Sequence, residues 1–435
     1  MKKDKENIVN KLYDIEKIRT ENIKKEEKNI SYNPEQVLSL NEIKSLDEKY
    51  LLQVYARMPV SFVYGSGEFL YDTEGNEYID FLSGIAVNSL GHANADIVET
   101  IRTQADKLWH TSNLYYNSQQ ALLARALVEI SFSAKVFFAN SGTEANEAAI
   151  KFARAYGQKM NTTKTKIIAL KSSFHGRTFG SMSITGQSKI HDGFGPLLEN
   201  IEFIEANNIK SLEKAVNKDT CALILEPVLG EGGILPLENE FLEKAREICD
   251  KNKTLLIFDE IQTGIGRTGK YFAYQHSSVT PDLLTIAKGL GSGFPIGALL
   301  VSNKYNDIFD IGSHGSTFGG NHLACAVGYE VLRVIESGKV LENVNNISEY
   351  LFTHLNNIKN GFPEKIQEIR GKGLLIGIVL KENIQARPLV AKALEKNLVI
   401  GRASDNVIRL APPLIVRIKT CDRALEKIEE LISEI

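Results

Sequence analysis

Between about Gly91 and Val301 two kinds of hydrophobic pattern alternate. Short runs such as Val136-Phe-Phe-Ala, Lys166-Ile-Ile-Ala-Leu170, Cys221-Ala-Leu-Ile-Leu225 and Leu255-Leu-Ile-Phe258 are apolar at nearly every position. Longer stretches at residues 117–130, 143–159 and 240–251 place apolar residues three or four apart, with Ala145, Ala149, Phe152 and Tyr156 on one face. Runs apolar throughout are strands covered on both faces, and amphipathic helices between them supply the cover. The pattern predicts an α/β domain with a buried, mostly parallel sheet flanked by helices.

The flanks read differently. Val60-Ser-Phe-Val-Tyr-Gly and Glu68-Phe-Leu-Tyr-Asp, with turns at Gly65-Ser-Gly67 and Asp72-Thr-Glu-Gly75, predict short antiparallel strands. After about His322 helices dominate, with a late hairpin near 373–379 and 407–410 and a closing helix over 422–435. The opening 41 residues are rich in Lys, Glu, Asn and Ile and hold no Gly. Ile8, Leu12, Ile15, Ile18 and Ile23 fall at near-helical spacing, which predicts an amphipathic helix docking on its own protein or a twin subunit. Pro34 marks a linker after it. The expected division is a charged extension over 1–45, small-domain pieces at 46–90 and 326–435, and a large domain over 91–325.

Composition narrows the function classes. The 435 residues are 43% hydrophobic and 24% charged, the balance of a soluble globular protein. Lys+Arg 51 against Asp+Glu 54 leaves a formal charge of −3, so no global field holds nucleic acid or an anionic membrane. Four cysteines with no C-x-x-C pair give neither a zinc ribbon nor a small disulfide framework, and no metal site is expected. No apolar run reaches the 18 residues of a spanning helix, and no secretory apolar region follows Met1. The expectation is a cytoplasmic protein with reduced thiols.

In an open α/β sheet ligands gather at the carboxyl ends of strands. Four such ends carry unusual text. Asn140-Ser141-Gly142-Thr143-Glu144 joins a strand to a helix N-terminus, suited to an anion or to plain capping. Asp259-Glu260 closes an apolar strand, as a carboxylate facing a ligand, a cap or a metal ligand. Lys288 closes another, with glycines beyond it, and a lysine drawn into an apolar cleft becomes an amine nucleophile for a carbonyl. His314-Gly-Ser316-Thr317-Phe-Gly-Gly320 is either a flexible loop or a second phosphate clamp. Gly264-Ile-Gly266-Arg267-Thr-Gly269 matches the dinucleotide fingerprint in letters but opens no helix and has no acidic residue about 20 positions on. An anion site, a carboxylate and a lysine together form the binding set for pyridoxal 5′-phosphate.

These residues resemble the class III (ornithine-type) aminotransferases of pyridoxal-phosphate fold type I. The likeness runs from about Glu48 to the C-terminus. It is carried by Phe-Leu-Ser-Gly-Ile-Ala-Val-Asn-Ser-Leu-Gly-His at 81–92, Ser-Gly-Thr-Glu-Ala-Asn-Glu at 141–147, Phe174-His-Gly-Arg177-Thr, Leu225-Glu-Pro-Val-Leu-Gly-Glu231, Phe258-Asp-Glu-Ile-Gln262 and Ala287-Lys288-Gly. The resemblance implies a large domain with a mostly parallel sheet plus a small α+β domain from both chain ends. It implies that Gly142 and Thr143 bind the phosphate, Phe174 stacks on the ring, Asp259 pairs with the ring nitrogen and Gln262 sits near the phenolic oxygen. Lys288 is the implied Schiff-base lysine, Thr317 reaches the phosphate from a neighbouring subunit, and a homodimer with shared sites follows. Arg177 is the implied α-carboxylate anchor, with Ser316 also at the substrate. Glu231 covers Arg409 until a substrate carboxylate displaces it, unless the two form a plain structural ion pair. The implied reaction moves the terminal amino group of N-acetylornithine to 2-oxoglutarate in arginine biosynthesis. Ornithine or another ω-amino acid is the alternative donor, and an aminomutase, needing no second keto acid, shares the fold.

Overall fold

A computed structural model describes residues 38–161 and 163–435. The helix expected around residues 8–23 and the linker at Pro34 lie outside them. The chain divides into a unit ending at Pro59 and a unit spanning Val60–Ile435. The first holds a helix, Leu40–Tyr50, started by a capping box: Ser39 N donates to Glu42 Oε2 at 2.8 Å, and Glu42 N donates to Ser39 Oγ at 3.4 Å.

In the second unit, β1 (Phe62–Ser66), β2 (Phe69–Asp72) and β3 (Glu77–Asp80) form an antiparallel meander. Asp72 sets the second turn by accepting from Glu74 N and Asn76 N, each at 2.9 Å. The central sheet is built from β4 (Ala134–Ala139), β5 (Lys166–Leu170), β6 (Ile201–Ile204), β7 (Thr220–Leu225), β8 (Leu255–Asp259), β9 (Leu283–Ile286) and β10 (Gly297–Ser302). Its order is β4-β10-β9-β8-β7-β5-β6. All pairings are parallel except those of β10, which runs antiparallel to both neighbours.

Why these strands read as continuous apolar runs is now visible. Ile168, Leu170, Leu223, Leu225, Leu256 and Phe258 point into one buried cluster. Their alternates Ile167, Ala169, Ala222, Ile224, Leu255 and Ile257 point into another on the opposite face. Each large side chain so buried contributes roughly 1.5–3 kcal/mol. The helix Gly142–Met160 covers one face through Ala145, Ala149, Phe152 and Tyr156, all buried as its spacing predicts. It lies so close that a Cβ on Gly157 would stand 1.9 Å from Lys164 O.

The late hairpin is corrected. The segment near 373–379 is β12 (Leu375–Leu380), and its hairpin partner is the preceding β11 (Ile366–Lys372). The segment 407–410 is β13 (Val407–Leu410), which pairs antiparallel with β12 across an intervening helix, Ala386–Glu395. Two apolar segments of like pattern predict adjacency but not the connection between them. The closing helix is Ile418–Ser433. Among the described residues no helix is long and apolar enough to cross a membrane.

Candidate active site

The carboxyl ends of β4, β5, β7, β8 and β9 meet in a cavity of about 450 Å³. Gly142, Thr143, Phe174, Arg177, Glu231, Asp259, Gln262 and Lys288 all line it. Residues scattered over almost 150 positions are thus gathered because each ends a strand or lies in the segment that leaves its carboxyl end.

At one wall is the start of the Gly142–Met160 helix. Ser141 caps it, its Oγ accepting from Glu144 N at 3.3 Å. The amides of Gly142 and Thr143 belong to the first turn and have no acceptor inside the helix, so they and the helix dipole favour an anion. Gly176, at φ +138°, lets the Phe174 loop press onto this corner, since a Cβ there would meet Thr143 Oγ1 at 2.3 Å.

Asp259 ends β8 at the cavity floor and is 4% exposed. It accepts from Asn146 Nδ2 at 2.8 Å and from Ile261 N at 3.0 Å, and its Oδ2 lies 2.7 Å from His175 Nδ1. Asn146 is held in turn by Thr285 Oγ1, which donates to its Oδ1 at 2.8 Å. Burial opposes a charged ring at His175, but the hydrogen bond and charge of Asp259, helped by Glu226, raise its pKa above the usual value. The neighbouring Glu260 turns away. It accepts from Tyr274 N at 2.8 Å and Thr263 Oγ1 at 3.1 Å, capping the turn Ala273–His276, and burial pushes its carboxyl up to about 7. The acidic pair therefore splits into one carboxylate facing the cavity and one fixing a loop.

Lys288 follows β9 with φ +41°, a left-handed conformation that a lysine adopts at a cost. Burial, then the charge of Arg409, bring its amine down to about 8, against the opposing pull of Glu231, Asp259 and Glu226. Arg409, from β13, is 4% exposed and donates through Nη1 to Glu231 Oε1. Arg177 stands at the exposed side, its guanidinium 5.7 Å from the centre of the Phe174 ring. Ser316 and Thr317 do not line this cavity. Ser316 borders a separate cavity and accepts from Asn140 Nδ2 at 3.2 Å, while Thr317 is exposed.

His175, Asn146, Thr285 and Glu226 escape the sequence reading. Three of them, Asn146, His175 and Glu226, stand inside quoted motifs, but nothing in spacing pairs a loop histidine with a strand carboxylate 84 positions away. Asn146, fully buried near the start of its helix, shows its role only once the fold is known. The fingerprint-like Gly264–Gly269 loop binds its own chain. Arg267 within it is fully buried and donates to Leu374 O at 3.1 Å and Pro412 O at 2.5 Å.

The donor set fits pyridoxal 5′-phosphate. Gln262 Oε1 is buried without a partner on the cavity wall, Asp259 waits at the floor, and a helix N-terminus faces the cavity beside a small residue, Gly142. Among the described residues no cluster of three or more His, Cys, Asp or Glu is placed to hold a metal ion.

The family model for aminotransferase class-III matches residues 52–432. The acetylornithine aminotransferase of Caldanaerobacter subterraneus subsp. tengcongensis is 49% identical over 390 residues, covering 89% of this chain and 98% of that protein. The acetylornithine aminotransferase of Methanocaldococcus jannaschii is 43% identical, covering 90% and 98%. Among solved structures, the ornithine aminotransferase of Toxoplasma gondii ME49 superposes with a TM-score of 0.89 at 31% identity, covering 94% of this chain and 99% of that one. The N-acetylornithine aminotransferase of Stenotrophomonas maltophilia K279a gives 0.78 at 36%, covering 90% and 98%.

Proposed function

This chain belongs to the class-III aminotransferases, and from that premise we propose that it moves the terminal amino group of N-acetylornithine to 2-oxoglutarate. The products are N-acetylglutamate 5-semialdehyde and glutamate, a step of arginine biosynthesis. The observation that carries the reading is one cavity lined by Lys288, Asp259 and Glu231, the last paired with the buried Arg409. The Toxoplasma gondii ornithine enzyme matches the backbone best of the structures above, yet at 31% identity. Relatives at 43–49% identity act on acetylornithine by name, and this favours the acetylated donor.

Bound in the cavity, pyridoxal 5′-phosphate supplies an electron sink for the substrate carbon that loses its proton. The chain does the rest. Gly142 and Thr143 amides would hold the phosphate, Phe174 would cover one ring face, and Gln262 would sit near the phenolic oxygen, to which its amide NH2 can donate. Asp259, held by Asn146 and His175, would keep a proton on the ring nitrogen. Lys288 Nζ would hold the cofactor's aldehyde and serve as the base that carries the proton removed from the substrate. Arg177 takes the α-carboxylate with its planar fork. Glu231 neutralises Arg409 while an amine-ended donor is bound and swings away when a dicarboxylate arrives, so the buried guanidinium is never left unpaired.

A homodimer with shared sites completes the reading. Ser316 and Thr317 lie outside their own chain's cavity; Ile311 and Phe318 beside them in sequence are exposed, as are Leu114, Tyr115 and Tyr116 next to Asn113, which donates to Ser316 O at 3.1 Å, a pattern that supports a second copy supplying Thr317. All four cysteines are buried and unpaired, which supports a reducing, cytoplasmic setting.

The purified protein with pyridoxal 5′-phosphate and 2-oxoglutarate is expected to form glutamate from N-acetylornithine in preference to ornithine or 4-aminobutyrate. Glutamate from free ornithine alone would refute the donor. Uptake of the cofactor by the apoprotein needs the free amine of Lys288, so its rate is expected to rise with pH and level off above about pH 8. Stopped-flow absorbance checks this, and a rise continuing to pH 10 would return the lysine to its ordinary range.

A further inference from the structure

Glu226 stands directly after β7, 6% exposed, on the cavity wall, and the scheme above gives it no part. Its two oxygens are taken by two different stretches of backbone. One accepts from Phe174 N at 2.8 Å, the other from Gly230 N at 3.0 Å. The first stretch carries the aromatic ring of the cavity. The second is the turn that carries Glu231.

That turn is closely confined. Its base is a two-stranded ribbon, Val228–Leu229 against Leu235–Pro236. Its far side is pinned by Arg370, whose Nε and Nη2 donate to Gly233 O at 2.9 and 2.7 Å. On its flank, a Cβ at Gly230 would stand 2.4 Å from Gln262 Oε1, so the turn has no room to slide inward. Glu231 therefore sits between two pins, Gly230 on Glu226 and Gly233 on Arg370. Burial pushes the Glu226 carboxyl up to about 7, with Asp259 adding to the rise and the His175 charge opposing it. A carboxyl is costly in such a place, and the two N–H bonds offset that cost.

We propose that Glu226 is a positioning residue, a bridge that holds the Glu231 turn in register with Phe174 and thereby sets how readily Glu231 yields Arg409 to a substrate carboxylate. This rests on the reading of the cavity as an aminotransferase site. Untying Gly230 loosens the Glu231–Arg409 pair, exposes the guanidinium for more of the time and favours dicarboxylates over amine-ended donors.

Glu226→Gln tests it in the holoenzyme. The amide keeps the size of the acid but must set its NH2 against one of the two backbone N–H groups. Its oxygen keeps the shorter contact, to Phe174, and Gly230 is released. Glutarate, a dicarboxylate with no reacting group, is the probe, read by calorimetry without turnover. It is expected to bind about fivefold tighter or more, the low end of coupling between linked sites, while the affinity for pyridoxal 5′-phosphate moves less than about threefold. Glu226→Asp retains the charge but not the reach and should shift glutarate the same way; it carries the test if the amide variant does not fold. Unchanged glutarate binding overturns the proposal, as does a joint loss of glutarate and cofactor, which general loosening would give. Failure of the aminotransferase reading shows separately, as wild-type protein that binds glutarate but transfers no amino group.

Discussion

Lys288→Ala is expected to lower turnover by about 10⁴-fold or more, since losing a positioned proton carrier alone removes roughly 10²–10⁴. Alanine has neither the amine that meets the aldehyde nor the base that returns the proton. Cofactor binding should survive, because Gly142, Thr143, Phe174, Asp259 and Gln262 still line the cavity. Gel filtration followed by visible absorbance checks retention, and single-turnover assays check the rate. Borohydride should no longer fix label to the chain. A rate within tenfold of wild type would remove Lys288 from the chemistry.

Asp259→Asn is expected to cost about 10²–10³ in kcat, the usual size for removing one preorganised electrostatic partner. The amide is nearly isosteric, so the contacts to Asn146 and Ile261 N can be partly kept, but it cannot hold a proton on a ring nitrogen. The same change reaches stability through His175. The ring's pKa is raised by Asp259, so their pairing contributes stability fully below the ordinary histidine value and loses it as pH rises through the raised one. The variant should therefore be destabilised more at pH 5.5 than at pH 8.5 in melting experiments. Equal loss at both, or a kcat near wild type, would contradict the assignment.

Lys288 and Asp259 were legible because each is a charged residue closing an otherwise apolar strand, and burial of such a group needs a reason. Much of the sheet was legible from strands covered on both faces, as β5, β7 and β8 are. β6 and β10 were not. Ile201–Ile204 is short and begins beside polar text, and the reversed direction of Gly297–Ser302 leaves no mark on its composition. The supports of the site were hidden for a different reason. Glu226, Asn146 and Thr285 are polar residues of ordinary appearance, and only the fold brings Asn146 and Thr285 within 2.8 Å across 139 positions. The Gly264–Gly269 segment shows the converse, a familiar spelling in the wrong context. Its arginine serves the carbonyls of Leu374 and Pro412 and no ligand.

The placing of β10 also sets a timetable. β4 can join the sheet only through β10, with Ala139 opposite Gly297, so a strand containing Phe137 and Phe138 waits for a partner made about 160 residues later. At ordinary synthesis rates that interval is roughly ten to thirty seconds. Throughout it the nascent chain carries an unpaired aromatic strand, joined near the end by the open edge of β9, the kind of surface that seeds association between chains. Production of this protein is thereby tied to how well the emerging chain is shielded, and a ribosome stalled before about residue 300 leaves a product with no way to close its sheet.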